Sequence, residues 1–385
     1  MPLLLLLMAL CLPFQEGVGV LDMPDGPAAP ASGEVRVLRH LPPGPSNPRN
    51  SEGDLLRLDD GSLLFIWTRF DSGTGGDHDP ASLHGARYHP EEDTWTPDVS
   101  VVSAHDGMNV MSVSLRRLAE DRLALFHLHK RSLQDCRPVV RFSDDQGASW
   151  SDPVAIVPEG DVGYDVLNND RVLQLEDGTL LLAIARHAGA GVGERFNPAG
   201  RLRCHRSTDG GMTWSVGAWA PEVPGVALQE PGLFQARDGS IHMFARTNAG
   251  VQYVCRSSDL GATWTTPEAW TLRSPLSPAT IERLADGDLL AIWNEPPLER
   301  TDPSTAPRTP LVAARSSDDG RTWGPRRLLF DHPDGWYCYV AMLVEGDRMR
   351  LATCAGDRGS GNGLEATVLV ESPLPAIEVK GADAE

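Results

Sequence analysis

The sequence predicts an all-β chain folded as a six-bladed β-propeller, and three observations carry that prediction. A phrase of the form S-x-D-x-G-x-x-W recurs at Ser143–Trp150, Ser207–Trp214, Ser257–Trp264 and Ser316–Trp323, with a worn copy ending at Trp95. Six segments read as apolar strand, short polar turn and apolar strand: "LDDGSLLFIW", "LAEDRLALFHL", "LEDGTLLLAIA", "ARDGSIHMFA", "LADGDLLAIW" and "VEGDRMRLAT". The 38 Gly and 31 Pro among 385 residues suit many short strands joined by turns rather than long helices.

The tryptophans of successive phrases lie 50 to 64 residues apart, a period that marks propellers or solenoids rather than coiled coils. The residue types of the phrase describe a tight hairpin. Asp and Ser side chains bond backbone groups within the turn, Gly supplies φ > 0, and Trp tucks under the neighbouring sheet. Its role is therefore structural.

The six hairpin segments give the blade count. Five are followed by the phrase or its remnant, whereas the last, near Gly346, runs into "GLEATVLVESP" without one. The ring is expected to close there, with "EVRVLRHL" at residues 34–41 lending a strand to the final blade so that no sheet edge stays open. The propeller then spans 33–375, after a leader (1–32) and before a short tail (376–385). In the leader, "MPLLLLLMALCLPFQEG" has an apolar run long enough for a signal-peptide core and too short to cross a bilayer. It lacks a basic n-region, so two readings stand: export to a secreted or periplasmic location, or a misassigned start followed by a disordered "DGPAAPASG" stretch.

A formal charge of −19 argues against a nucleic-acid binder, which needs basic surface against phosphate. It also repels anionic substrates at long range, so an anion site requires a local arginine cluster. The six cysteines lack C-x-x-C spacing and read as free thiols. The pair His127 and His129 has no companions at zinc-ligand spacing, and neither metal nor cofactor is expected.

Function is expected where the blades converge. The inner strands begin "PRNSEGD", "NVMSVSL", "LNNDRVL", "LQEPGLF", "SPLSPAT" and "GWYCYVAM". An apolar blade has no use for Arg49, Asn50, Glu52, Asn109, Asn168, Asn169, Asp170, Glu230 or Tyr337 at these ends unless they meet water or ligand.

The repeated phrase resembles the Asp-box of sialidase-like propellers, and the polar strand ends narrow the resemblance to bacterial-type sialidases over roughly residues 34–372. The resemblance implies a carboxylate-binding triad of Arg49, Arg246 and Arg308, with Arg69 in "WTRF" as a further arginine. It implies Asp77, ten residues before Arg87, as acid/base, with Asp79 left open as a competitor. Glu230 and Arg246, one hairpin apart, match the family's Glu and second Arg. Tyr337 stands at the nucleophile position, with Tyr339 as the alternative. Asn50, Glu52, Asn109, Asn169 and Asp170 are expected to bind substrate, and for Asn109, Asn168, Asp170 and Arg171 hydrogen bonding between blades is a competing reading.

The chain departs from the family in two places. "PRNS" replaces the usual F-R-I-P phrase, and Thr353 and Cys354 stand where a carboxylate normally steadies the first Arg, a duty left to Glu52 or Asp54. The resemblance implies an exo-sialidase-like retaining glycoside hydrolase that acts without a cofactor on sialylated or related acidic glycans. Guanidinium forks suit a planar carboxylate, and a Tyr nucleophile is a known exception to the two-carboxylate scheme. Two alternatives remain: a glycosidase for another sugar using Asp77 and Glu230 as a pair, and a glycan-binding propeller without catalysis.

Overall fold

Each hairpin signature becomes the inner pair of an antiparallel meander. The computed structural model describes residues 26–104, 107–188, 197–297 and 302–376, so most of the expected leader and nearly all of the tail lie outside the described residues. The chain is all-β, with only three short 3-10 turns and no α-helix among the described residues.

Six inner strands start the meanders: Arg49–Arg57, Asn109–Arg117, Val172–Gln174, Leu228–Gln235, Thr280–Arg283 and Gly335–Glu345. In the first, fourth and fifth meanders the following strands pair outward in chain order. The second and third form one nine-stranded sheet, because Tyr164–Val166 pairs with Leu180–His187 and bridges to Cys136. In the sixth, Arg36–Leu41 pairs antiparallel with Thr367–Pro373, so the start of the described chain completes the last sheet. Each inner strand contacts the next, and the sixth contacts the first.

The second strand of each meander is apolar on both faces because meanders pack face to face. Leu289–Asn294 is buried throughout. Leu64, Ile66 and Leu83 of the first meander join Val113, Leu115 and Leu125 of the second in one cluster. Phe234 and Phe244 of the fourth similarly meet Ile281, Leu289 and Trp293 of the fifth.

The repeated phrase folds as its composition demands. Ser207 Oγ donates to Asp209 at 2.8 Å and accepts from Gly211 N at 2.8 Å, while Asp209 accepts from Thr213 N at 2.9 Å. The glycine has positive φ in all four copies, and so does the residue before it: Gln146, Gly210, Leu260 and Asp319. Two successive left-handed residues make a hairpin turn whose twist matches the strands it joins.

One feature of the inner strands positions the functional side chains. Glu52, Ser112, Asp170, Glu230 and Tyr339 all have positive φ, between 47° and 64°, at equivalent places in five of the six meanders. Register shifts accompany four of them, as a β-bulge requires. At the equivalent place in the fifth meander stands Pro278, whose ring holds φ negative. Bulges re-aim side chains, and here they turn Glu52, Ser112, Glu230 and Tyr339 into one cavity.

Candidate active site

Four of the bulged strands and the loop after Phe70 enclose a cavity of about 140 Å³. Glu52, Asp77 and Glu230 give it acid groups, Lys130 and Arg246 give it cations, and Tyr164 and Tyr339 give it phenols. Met111, Leu128 and Val166 form an apolar stretch of wall.

At one side stands Arg49, only 1% exposed and stacked over Phe70. Its Nη2 meets Glu52 Oε1 at 2.6 Å and its Nη1 meets Asp77 Oδ1 at 2.6 Å. Nε donates to Ser51 Oγ at 2.8 Å, so all three nitrogens are engaged. Of the two carboxylates left open to steady Arg49, Glu52 takes the part. Asp54 is turned away and accepts from Leu115 N at 2.6 Å. Glu52 also accepts from Ser112 Oγ. Burial raises the Glu52 pKa above the usual carboxylate range, against the opposing pull of Arg49.

Asp77 reaches this pair from the rim, with 58% of its side chain meeting solvent. Packing of protein on its inner side favours the neutral acid, but the charge and hydrogen bond of Arg49, helped by Lys130, hold its pKa to about 2. The loop that carries it is tied down. Asn109 Nδ2 donates to the carbonyls of Asp77 and Asp79 at 3.0 and 2.9 Å, and Lys130 Nζ donates to the Asp77 carbonyl. Asp79 is spent on the turn itself, accepting from Thr74 N and Gly76 N at 2.8 and 2.9 Å. Of the two loop aspartates, only Asp77 lines the cavity.

At the opposite side Tyr339 donates to Glu230 Oε1 at 3.3 Å, and Arg246 Nη2 meets the same oxygen at 3.0 Å. Asn168 Nδ2 donates to the other Glu230 oxygen at 3.4 Å, and Gln229 accepts from Arg246 Nε at 2.9 Å. Burial, and then the charge of Glu230, push the Tyr339 pKa well above that of a free phenol. Arg308 lies behind Tyr339, its guanidinium 5.9 Å from that ring and 4.9 Å from the ring of Trp336. Arg246 Nη1 is buried without a hydrogen-bond acceptor, whereas Arg308, which does not line the cavity, is engaged by Cys338 and donates to the Leu276 carbonyl at 3.2 Å. Buried N–H groups without partners are costly, and they suit an incoming anion.

Several expected site residues fall elsewhere. Tyr337 is fully buried, stacks on Phe330 at 5.1 Å and donates its hydroxyl to the Pro27 carbonyl at 2.9 Å. It belongs to the packing between the fifth and sixth meanders and does not line the cavity; the bulge two residues later turns Tyr339 there instead. Arg69 pairs with Asp71 at 2.7 Å outside the cavity. Asn50 receives Trp67 Nε1 at 3.0 Å and donates to the Pro42 carbonyl at 3.0 Å, which makes it a link between strands. Asn169 joins the carbonyls of Gly53 and Tyr339, each at 2.9 Å, and Asp170 binds Arg116 at 2.9 Å and Met342 N at 3.0 Å. These two hold inner strands together. Lys130, Tyr164, His187 and Gln229 line the cavity although the sequence did not single them out. Lys130 and His187 end the second strands Leu123–Lys130 and Leu180–His187, whose closing residues, "HLHK" and "ARH", break an apolar run with ionisable residues, and that break was the available signal.

The chain matches the family described as BNR repeat-like domain over residues 55–351, most of its length. It belongs to that family. No curated protein matches it at the level of sequence. Among solved structures, this BNR protein is similar to a Dyadobacter fermentans protein of unknown function, with 15% identity and a TM-score of 0.68 over 89% of this chain and 100% of that one. It is also similar to the Hadza microbial sialidase Hz136, with 18% identity and a TM-score of 0.65 over 85% of this chain and 66% of that one. A third is the intramolecular trans-sialidase of Ruminococcus gnavus, with 15% identity and a TM-score of 0.63 over 87% and 96%. The BNR protein therefore has a sialidase-like fold.

Proposed function

We propose that this BNR protein is a glycoside hydrolase that removes a terminal acidic sugar of the sialic acid type from glycans, on a closed ring of six blades. The observation that carries the reading is the contact of the Tyr339 hydroxyl with Glu230, beside Arg246, whose buried Nη1 lacks an acceptor. That N–H group suits a sugar carboxylate, and the Arg246 charge works locally against a net charge of −19.

In the first step Glu230 takes the phenolic proton as the Tyr339 oxygen bonds the anomeric carbon. The bond to the leaving glycosidic oxygen breaks, and Asp77 protonates that oxygen. A neutral phenol is suited to a carbon that already carries a carboxylate, because its negative charge develops only as the positive centre forms. In the second step Asp77 takes a proton from water, water attacks the same carbon, and the Tyr339 oxygen leaves and regains its proton from Glu230. In the free protein Arg49 keeps Asp77 ionised; a substrate that draws Arg49 or Asp77 away from that pair raises the Asp77 pKa, so that it takes up a proton from solvent before it acts as the acid.

The reading is tested by release of 4-methylumbelliferone from its sialoside. Turnover that vanishes in Tyr339→Phe supports it. Turnover only of uronides or neutral glycosides would move the assignment to another sugar, and glycan binding without any turnover would leave a binding propeller.

A further inference from the structure

The sixth meander carries two thiols that this chemistry does not use. Cys338 and Cys354 stand directly opposite each other in the antiparallel pair of Gly335–Glu345 with Arg348–Asp357. Residues so opposed have Cα atoms about 4.5 to 5.5 Å apart, within the roughly 4.4 to 6.8 Å that a disulfide bridges. Both thiols are free and buried, and they share one small cluster with Tyr339. The other described cysteines, Cys136, Cys204 and Cys255, lie on strands of other meanders.

The two sulfurs differ in surroundings. The Arg308 guanidinium acts on Cys338, and each thiol alters the ionisation of the other. Burial opposes ionisation of Cys338, yet Cys354 and Arg308 together bring its pKa below that of an ordinary thiol. Burial, and then Cys338, push Cys354 well above it. A cation beside one thiol and a neutral partner beside it describe an attacking sulfur and a resolving one. Tyr339, one residue from Cys338, walls the cavity, while the two thiols lie buried behind it.

We propose that Cys338 and Cys354 form a peroxide-sensitive thiol pair that closes into a cross-strand disulfide behind Tyr339. The Cys338 thiolate attacks one peroxide oxygen, the O–O bond breaks, and hydroxide leaves to become water with the thiol's proton. The sulfenic acid so formed is attacked by the Cys354 sulfur, which expels the second oxygen as water. The thiols lose two electrons and the peroxide gains two. The bond pins the strand at the residue just before its bulge, where Tyr339 is aimed.

The test uses the full chain, fully reduced, freed of reductant and exposed to hydrogen peroxide. Its intact mass should fall by about 2 Da, and a peptide map without reductant should recover the Cys338 and Cys354 peptides joined. In Cys354→Ser the mass loss should vanish and dimedone should label Cys338. Should that variant not fold, the wild-type map decides alone. Alkylation of both Cys338 and Cys354 after peroxide treatment and unfolding overturns the proposal, as does a disulfide mapped to any other pair. No substrate enters the measurement, so its outcome is independent of the hydrolase reading.

Discussion

The Tyr339 hydroxyl donates to Glu230 across 3.3 Å although 109 residues separate them in the chain. Both residues occupy the left-handed bulge of an inner strand, with φ of 55° and 47°. The contact therefore depends on two bulges at equivalent positions in two meanders, and it identifies which phenol can lose its proton to a carboxylate.

Replacing Tyr339 by Phe should lower turnover of an aryl sialoside by on the order of a hundredfold or more, since both nucleophile and proton donor are lost. Tyr337→Phe should leave turnover within about twofold and cost about 1 kcal/mol of stability, the worth of one hydrogen bond. Parallel steady-state kinetics and denaturant titration of the two variants check this. Equal loss of turnover in both would contradict the assignment.

Arg246→Ala should raise KM for acidic glycosides by roughly tenfold or more, because a charge-assisted hydrogen bond is worth about 1.5 to 3 kcal/mol. Arg49→Met should behave differently. Its partner Glu52 is 4% exposed, and removal of one side of a buried ion pair costs about 3 to 5 kcal/mol, so the variant should show a folding defect first. Comparing Tm with KM across the two variants separates the two roles.

Asp77→Asn should abolish hydrolysis of sialosides with alkyl leaving groups while sparing much of the activity on aryl sialosides, which leave without protonation. Asp79→Ala should lower activity in the same direction but less, hitting alkyl sialosides more than aryl ones, because it loosens the loop that presents Asp77. The ratio of the two substrates is the deciding measurement.

Acid should destabilise the outer turns. Hydrogen bonds from Ser149 and Thr263 hold the Asp145 and Asp259 pKa values to about 2, against an ordinary 3.8. A pKa depressed by folding contributes stability that is complete above the unfolded value and lost as pH falls through the folded one. Tm should therefore hold from neutrality to about pH 4 and decline toward pH 2, and Asp145→Asn with Asp259→Asn should flatten that decline.

The period of the repeats and the six hairpins were legible in the sequence, because each rests on local pattern, whereas Glu230, Arg246 and Asp77 were expected only through the resemblance to sialidases. Hydrophobic alternation marks strands, Gly at a φ > 0 position marks the outer turns, and polar residues at inner strand ends mark where burial is interrupted. Lys130 and His187 were not legible because each closes a strand beside other polar residues, His127 and His129 or Arg186, and nothing local says which of them faces the cavity.

The sequence by itself therefore determined the all-β repeat and the strand ends from which a site is built. Only the tertiary structure decided that Tyr339 rather than Tyr337 faces Glu230, that Glu52 rather than Asp54 holds Arg49, and that Arg69 and Asn50 serve the scaffold. Alternation along a strand assigns faces only until a bulge intervenes. A bulge turns one residue out of the pleat, and which groups that residue then meets is set by strands that lie more than a hundred residues away in the chain.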